Sequence, residues 1–175
     1  MTRSIRMTLM AASLATMAGS ALAGPQYVDG TGFAVSGYDV VAYHDLKQNP
    51  VGSEQPKAVP GKADITADYN GAKWAFSSAA NRDKFLADPA RYAPEYDGHC
   101  AYGISRGGKV PANPHLWRIR DGKLYLNITN TVVGFWEEDI SGNLSLAEKK
   151  WGKLESKKAA TRAIPEFDKS SAPAK

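Results

Sequence analysis

The sequence predicts an α+β domain in which a small antiparallel sheet, built from two hairpins, packs against three or four helices. The two hairpins are indicated by Asn70-Gly71 and Asp121-Gly122, each of which separates two short runs of mixed apolar and polar residues. Both central positions of such turns need a positive φ, which Asn, Asp and Gly adopt most readily. These two turns, with helix-start signals after each hairpin, indicate the fold class.

The first hairpin is expected to join residues 64–69 to residues 73–77, and the second to join residues 116–120 to residues 123–128. The apolar side chains of the second hairpin alternate with polar ones, as in a strand with one buried face. The 17 aromatic residues are spread along the chain after residue 23. They predict a single aromatic-rich core.

Three helix starts follow from capping chemistry. Ser78 is expected to cap the helix after the first hairpin, and Asn130 the helix after the second, because their side-chain oxygens can accept from free backbone N–H groups. Ser145 and Glu148 are spaced as in a capping box and predict the start of the last helix.

The predicted organisation is an export signal at residues 1–23, a folded domain at residues 24–152, and a helix end with a disordered tail at residues 153–175. Residues 47–63 contain three prolines and are expected to form the most mobile surface loop. The tail is polar and poor in aromatic residues, which is typical of an unpacked terminus.

The first 23 residues have the pattern of a cleaved signal. Arg3 and Arg6 precede a short apolar run, and Ala21-Leu22-Ala23 supplies the small residues of a cleavage site before Gly24. The apolar run is shorter than the roughly 20 residues that span a bilayer. We therefore expect a periplasmic or secreted protein without a transmembrane anchor.

Composition excludes several function classes. All four methionines lie within the predicted signal, and the chain has one cysteine, so a methionine-rich copper carrier or a multi-cysteine zinc module cannot be built. The net charge is +4, and much of the basic excess lies in the last 23 residues. Nucleic-acid binding needs a basic surface on the folded body, so it is not expected.

One enzyme motif fails on the order of its residues. Residues 103–107 match the Gly-x-Ser-x-Gly pattern of serine hydrolases, which requires an acid and then a histidine further along the chain. The only later histidine, His115, precedes every downstream acidic residue. A glycine-rich loop explains the match more simply, and the sequence favours a non-enzymatic protein.

The lone thiol, Cys100, has three interpretations. It can be a buried small apolar side chain. It can be a reactive thiol whose pKa is lowered by His99 or by backbone donors of the adjacent glycine-rich turn. It can also be a metal ligand, together with His99 and with His44 or His115 from elsewhere in the fold.

The first hairpin and the segment after it contain a distinctive set of residues: Tyr69-Asn70-Gly71, Trp74, Phe76-Ser77-Ser78, Asn81, Phe85, Pro89 and Tyr92. This set resembles the core of the YHS domain family. Residues 37–43, 92–101 and 121–127 resemble the exported bacterial branch of that family, so the resemblance extends over about residues 30–152.

The resemblance implies a treble-clef-like fold and the handling of heavy metals through cysteines. The exported branch includes members suspected of carrying selenocysteine, which implies redox or soft-metal chemistry. In the metal-binding branch, cysteines follow the phenylalanine of the hairpin and recur four residues later, where this chain has Ser77 and Asn81. The usual metal site is therefore absent, and a metal could be held only through Cys100.

The function expected from these observations is an exported binding module that handles a soft metal ion or a small ligand through a single thiol. Copper or zinc would be bound by Cys100, His99 and His44, and a small ligand would contact Tyr96, Gly98 and Tyr102. Two alternatives stay open: a redox protein that uses Cys100, and a structural or interaction domain with an inert buried cysteine.

Overall fold

The structure, a computed structural model, describes residues 26–165 and 167, so the predicted export signal lies outside the described residues. Within this part of the chain, no helix is long and apolar enough to cross a membrane. Each of two strand pairs is followed by helices along the chain, and the α+β class is confirmed.

Both predicted hairpins are present. Their strands are β1 (Lys62–Tyr69), β2 (Ala72–Phe76), β3 (Asn113–Arg120) and β4 (Lys123–Asn127). The turn residues Asn70 and Gly71 have φ of 49° and 70°, and Asp121 and Gly122 have φ of 51° and 76°. The sequence signal for each turn therefore corresponds to the backbone conformation that the turn needs.

The hairpins form two separate two-stranded antiparallel sheets, whereas the sequence analysis expected one sheet. The register shifts within β1 between Lys62 and Thr66, and within β3 between Asn113 and Trp117. Both hairpins contribute side chains to one buried cluster, so they meet through side chains and not through paired strand edges.

The described chain has five α-helices, compared with the three or four expected. They are α1 (Ala79–Ala87), α2 (Pro89–Tyr92), α3 (Ala101–Ser105), α4 (Asn130–Glu138) and α5 (Ile140–Leu154). Short 3-10 helices lie at Val35–Gly37, Ala42–Asp45 and Glu95–Gly98. The number exceeds the expectation because it includes α2 and α3, each of which is only about one turn long.

Ser78 caps α1 as predicted, by accepting a hydrogen bond from the backbone N–H of Asn81. The other two predicted starts are wrong by a few residues. Thr129, not Asn130, caps α4, and α5 begins before Ser145 because Asp139 accepts from the N–H of Gly142. In both cases a short polar side chain earlier in the chain has the favourable cap geometry.

The buried side chains form two clusters, where one core was expected. The first lies around the hairpins and includes Tyr38, Tyr43, Trp74, Phe76, Phe85, Trp117, Leu124 and Leu126. The second lies between α3, α4 and α5 and includes Tyr96, Ile104, Tyr125, Trp136, Ala147 and Leu154. Cys100 belongs to the first cluster and Ala101 to the second, so this stretch of chain lies at their junction.

The segment at residues 47–63, predicted to be the most mobile surface loop, runs into the first residues of β1 and is attached to the body by specific hydrogen bonds. The backbone N–H of Gly52 donates to Glu137 (2.8 Å), Arg118 donates to the Ser53 carbonyl (3.1 Å), and Trp117 Nε1 donates to the Pro56 carbonyl (2.9 Å). Prolines and polar residues do not show which backbone groups a loop will pair, so these contacts could not be predicted from composition.

Parts of the segment after α5, for which the sequence analysis expected a disordered tail, contact the folded body. Lys109 Nζ donates to the carbonyls of Glu155 and Lys157, both at 2.9 Å. Ile164 is buried, and Phe167 packs on Tyr38 with ring centroids 6.2 Å apart. A few apolar residues among polar ones are enough to attach this segment.

Candidate functional site

The residues from Tyr96 to Gly98 form a left-handed turn immediately before the lone cysteine. Tyr96, Asp97 and Gly98 have φ of 58°, 51° and 74°. For a residue with a side chain this conformation costs about 1–2 kcal/mol, and only glycine adopts it freely. The surrounding structure therefore imposes a costly conformation on two non-glycine residues here, as it does on Val35 and Ser36, whose φ values are 51° and 53°.

Asp97 lies at the centre of this turn. Its Oδ1 accepts a hydrogen bond from Nδ2 of Asn70 (3.3 Å), whereas its Oδ2 is buried with no partner among the described residues. Burial raises the pKa of Asp97 to about 6, although the nearby Lys109 opposes the shift. The carboxyl group therefore changes its charge near neutral pH.

A cleft of about 190 Å³ lies beside the turn. We call it the Asp97 cleft and define it by Tyr69, Asn70, Glu95, Tyr96, Asp97 and Trp151, which line it. Its position follows from the fold, because the hairpin turn at Asn70, the left-handed turn and α5 each supply part of its wall. The cleft therefore combines two carboxylates with three aromatic rings.

His99 is buried and both of its ring nitrogens are used. Nε2 accepts a hydrogen bond from the backbone N–H of Ala160 (3.3 Å), so the proton lies on Nδ1, which faces the carbonyl oxygen of Tyr96 at 3.0 Å. Burial lowers the pKa of His99 to about 4. In this arrangement the neutral ring has no free lone pair to offer a metal ion.

Cys100 has 0% of its surface exposed. Its thiol lies 3.5 Å from Oδ1 of Asn127, to which it donates, and its sulfur accepts from the N–H of Gly103 at 3.3 Å, which caps α3. Burial raises the pKa of Cys100 to about 11, outweighing the backbone N–H groups and the charge of Arg162, which lower it. The thiol is therefore protonated and enclosed near neutral pH.

The other predicted site residues are engaged within the chain. The hydroxyl of Tyr96 donates to Glu148 (3.1 Å). Tyr102 packs against Phe135 with ring centroids 5.9 Å apart, and the guanidinium of Arg106 lies 4.6 Å from the Tyr102 ring. Of the residues expected to contact a ligand, Tyr96 lines the Asp97 cleft, Gly98 forms part of the turn beside it, and Tyr102 lies on α3.

His44 does not join Cys100 in a metal site. Its ring packs edge-on against Tyr92 at 5.3 Å, and its buried Nε2 has no hydrogen-bond partner among the described residues. Burial, and then the charge of Arg91, lower the pKa of His44. Across residues 26–165 and 167, no group of three or more His, Cys, Asp or Glu side chains is placed to hold a metal ion.

A second buried polar centre lies at Asp39, which is 0% exposed. Its Oδ2 accepts from the backbone N–H of Ser77 (2.8 Å), the Ser77 hydroxyl (2.6 Å) and Nδ2 of Asn81 (2.7 Å). Its Oδ1 accepts from the N–H groups of Val41 and Ala42. This single carboxylate joins the N-terminal segment to β2 and α1.

A larger cavity, of about 340 Å³, lies beside a buried ion pair between Arg118 and Glu137. His115 also lines it, with Nδ1 accepting from the N–H of Ala58 (3.2 Å) and Nε2 next to the Tyr38 hydroxyl (3.3 Å). Burial lowers the pKa of His115. Since Arg118 is neutralised by its partner and both nitrogens of His115 have neighbours, these groups hold the structure together.

Comparison with known proteins bears on the segment that includes the first hairpin. Residues 54–96 match the family model described as the YHS domain. The matched segment is similar to a YHS domain. It contains β1, β2, α1 and α2 and ends at Tyr96, so Cys100 lies outside the match. Searches among curated proteins and solved structures found no significant match to the chain.

The YHS domain is a family associated with metal binding. The residues of this chain do not fit a metal at the position expected from the family, because Ser77 and Asn81 donate hydrogen bonds to Asp39 there. A hydroxyl and an amide NH₂ group that already donate hydrogen bonds are poor ligands for a soft metal ion, because such ions prefer thiolates. These two side chains belong instead to the hydrogen-bond network of Asp39.

Sequence reasoning missed Asp97 as a candidate site residue. A signal was available, because Asp directly before Gly is one of the few combinations that tolerate a left-handed backbone. The approach of Asn70 and Trp151 to Asp97 could not be read from the sequence, since these three residues are brought together only by the fold.

Proposed function

We propose that this protein is an exported binding module that takes a small ligand in the Asp97 cleft, and that Cys100 acts as a structural thiol beneath it. The observation that carries the proposal is the left-handed turn, which holds the half-buried Asp97 carboxylate beside a cleft while the next residues, His99 and Cys100, are fully enclosed. A costly backbone that presents one polar group at a cleft is typical of a binding site.

The enclosed thiol supports the structural role of Cys100. A metal ligand or redox thiol must reach its partner as the thiolate, and burial raises the pKa of Cys100 to about 11. The thiol also fills a structural role, since it caps α3 and contacts Asn127 on β4. Neither contact needs ionisation.

Export is proposed from residues 1–23, whose pattern is that of a cleaved signal. The test is the mass of the protein recovered from a periplasmic or secreted fraction. We expect a chain that begins at Gly24. An intact N-terminus in the cytoplasmic fraction would contradict export without affecting the proposed binding site.

The binding site is tested by two-dimensional NMR of the mature protein with a fragment set that includes amines, carboxylates and neutral polar compounds. We expect the shifts to concentrate on the side-chain amide of Asn70 and the indole N–H of Trp151. Shifts confined to the cavity at Arg118, or no shifts at all, would contradict the proposal.

The structural role of the thiol is tested by alkylation and metal titration. We expect iodoacetamide to modify Cys100 only after denaturation, and copper(I) and zinc to bind no more tightly to wild type than to Cys100→Ser. Rapid alkylation of the folded protein would instead favour the redox alternative, which is supported by the Gly103 N–H group and the positive charge of Arg162 near the sulfur.

A further inference from the structure

The Asp97 cleft has the composition of a site for a positively charged organic group. Two of the ten residues that line it are acidic, three are aromatic, and none is basic. We propose that the cleft binds a small organic ammonium ion, whose charge is balanced by Asp97 and Glu95 and whose carbon atoms lie against the aromatic rings. This inference rests on the proposed function, because it names the chemical class of the ligand.

The charges around Asp97 favour a cation. Glu155 and Lys109 act on Asp97 with opposite sign, and Glu95 is paired with Lys123 at 3.2 Å. Glu148 lies behind Tyr96 and accepts its hydroxyl proton in a hydrogen bond. The negative groups outnumber the positive ones, since four carboxylates are opposed by two ammonium groups: Asp97, Glu95, Glu148 and Glu155 against Lys109 and Lys123. One Asp97 oxygen also has no hydrogen bond among the described residues to offset its charge.

The aromatic walls suit an ammonium group in particular. Rings attract a cation over their faces, and indole does so most strongly. Trp151 already has an ammonium group, that of Lys109, 5.3 Å from its ring centroid, and Tyr96 packs edge-on against it at 5.5 Å. The volume of about 190 Å³ is small, so a ligand of a few heavy atoms would fill the cleft.

An inorganic cation fits less well. Calcium and magnesium need several oxygen ligands around one point, and the described residues contain no cluster of three carboxylate, imidazole or thiol side chains. A carboxylate ligand would be repelled by Asp97 and Glu95. Among simple charged groups, an ammonium ion with attached carbon atoms matches both the charge and the apolar surface.

The test uses n-propylammonium chloride as the probe and 1-propanol and sodium propionate as neutral and anionic controls of similar shape. Binding is followed by the NMR signals of the Trp151 indole N–H and the Asn70 side-chain amide. We expect n-propylammonium to bind with a Kd on the order of 1 mM, as is reasonable for a ligand of four heavy atoms, and both controls to bind at least tenfold more weakly.

Two variants and a pH series assign the interaction to Asp97. Asp97→Asn should weaken binding at least tenfold at pH 7.5, whereas Glu138→Gln, which alters an exposed acid on α4, should leave it unchanged. Because the pKa of Asp97 is about 6, the affinity of wild type should fall roughly tenfold between pH 7.5 and 5.

Asp97→Asn should also unfold at a higher temperature than wild type at pH 8, since it removes the charge that burial disfavours.

The outcomes separate this inference from the proposed function. Equal affinity for n-propylammonium and 1-propanol, or unchanged binding by Asp97→Asn, would overturn the ammonium proposal while leaving a ligand site in the cleft. If no compound of the fragment set or the probe series perturbs Asn70 and Trp151, both the inference and the proposed site are wrong.

Discussion

His99 Nε2 lies 3.3 Å from the backbone nitrogen of Ala160, and this hydrogen bond links the buried imidazole to the segment that follows α5. An N–H group can only donate, so the ring must be neutral at this nitrogen. Protonation of His99 would place two hydrogen atoms opposite each other and bury a charge. The contact therefore makes the attachment of residues 155–165 sensitive to pH.

We predict that the contribution of His99 to the free energy of unfolding is lost as the pH falls from 6.5 to 4. The pKa of His99 is lowered to about 4, against an ordinary value of 6.5, so the unfolded chain binds more protons in this range. The stabilisation is complete above pH 6.5 and is lost as the pH falls through 4, by at most about 3 kcal/mol. Urea unfolding at each pH measures the loss.

The matched control is His99→Gln, which cannot titrate. It should be less stable than wild type at pH 7.5, and the difference between the two proteins should narrow as the pH falls from 6.5 to 4. Asp97, whose pKa is raised to about 6, contributes the opposite trend to both proteins and therefore cancels in the comparison. Parallel pH profiles for the two proteins would show that His99 is not the group responsible.

Asp39→Asn should be among the most destabilising single substitutions in the described chain. The substitution replaces one carboxylate oxygen with an amide NH₂ group, which cannot accept a hydrogen bond. In one orientation this group faces the donors of Ser77 and Asn81, and in the other it faces the N–H groups at the start of the Ala42–Asp45 helix. Leaving buried donors unpaired costs about 1–3 kcal/mol each. We expect a loss of about 3–5 kcal/mol in the free energy of unfolding, measured by urea denaturation.

Asp64→Asn serves as the control for this substitution, because Asp64 is exposed on β1. It should change the free energy of unfolding by less than about 0.5 kcal/mol. If instead Asp39→Asn were as stable as Asp64→Asn, the carboxylate network would not be what joins the N-terminal segment to the hairpin.

The sequence predicted the elements whose signals are local. Asn70-Gly71 and Asp121-Gly122 fix their own backbone conformation, and Ser78 caps α1 through a neighbour three residues away. Each of these signals can be read because cause and effect lie within a few residues. The α+β class follows from them.

The site could not be predicted in the same way, because its properties arise from distant contacts. Cys100 is enclosed through Asn127, and the ring nitrogen of His99 is occupied by Ala160, 61 residues away. The expectation that adjacent His and Cys form a metal site considered the chemistry of the side chains but not their partners. The hydrogen-bond partners of the segment at residues 47–63 are also distant in sequence, so they could not be predicted.

Gly98→Ala should be more destabilising than Gly71→Ala, although both glycines have a φ near +70°. At Gly71 an added Cβ meets no atom within 4 Å, so only the backbone cost of about 1 kcal/mol applies. At Gly98 the Cβ would lie 2.5 Å from Nε2 of Gln26, which donates to the Asp97 carbonyl. We expect a loss of about 2 kcal/mol, measured by thermal and urea unfolding.

A double-mutant cycle with Gln26→Ala identifies the source of the difference. Without the Gln26 side chain, Gly98→Ala should cost no more than Gly71→Ala, since only the backbone term remains. An excess cost of Gly98→Ala that persists in the Gln26→Ala background would place the strain in the turn itself and not in its contact with Gln26.

The last prediction concerns the buried ion pair between Arg118 and Glu137, whose side chains are 8% and 5% exposed. Glu137→Gln should cost about 3–5 kcal/mol, because it leaves the guanidinium buried without its counter-charge. The carboxylate also accepts from the N–H of Gly52, so its loss should release the loop. Hydrogen exchange at Gly52 should accelerate more than exchange in β4.

Glu54→Gln, which removes an exposed partner of Lys57, is the control and should leave exchange at Gly52 unchanged. Equal acceleration at Gly52 and in β4 would mean that the ion pair stabilises the whole domain and does not specifically hold the loop.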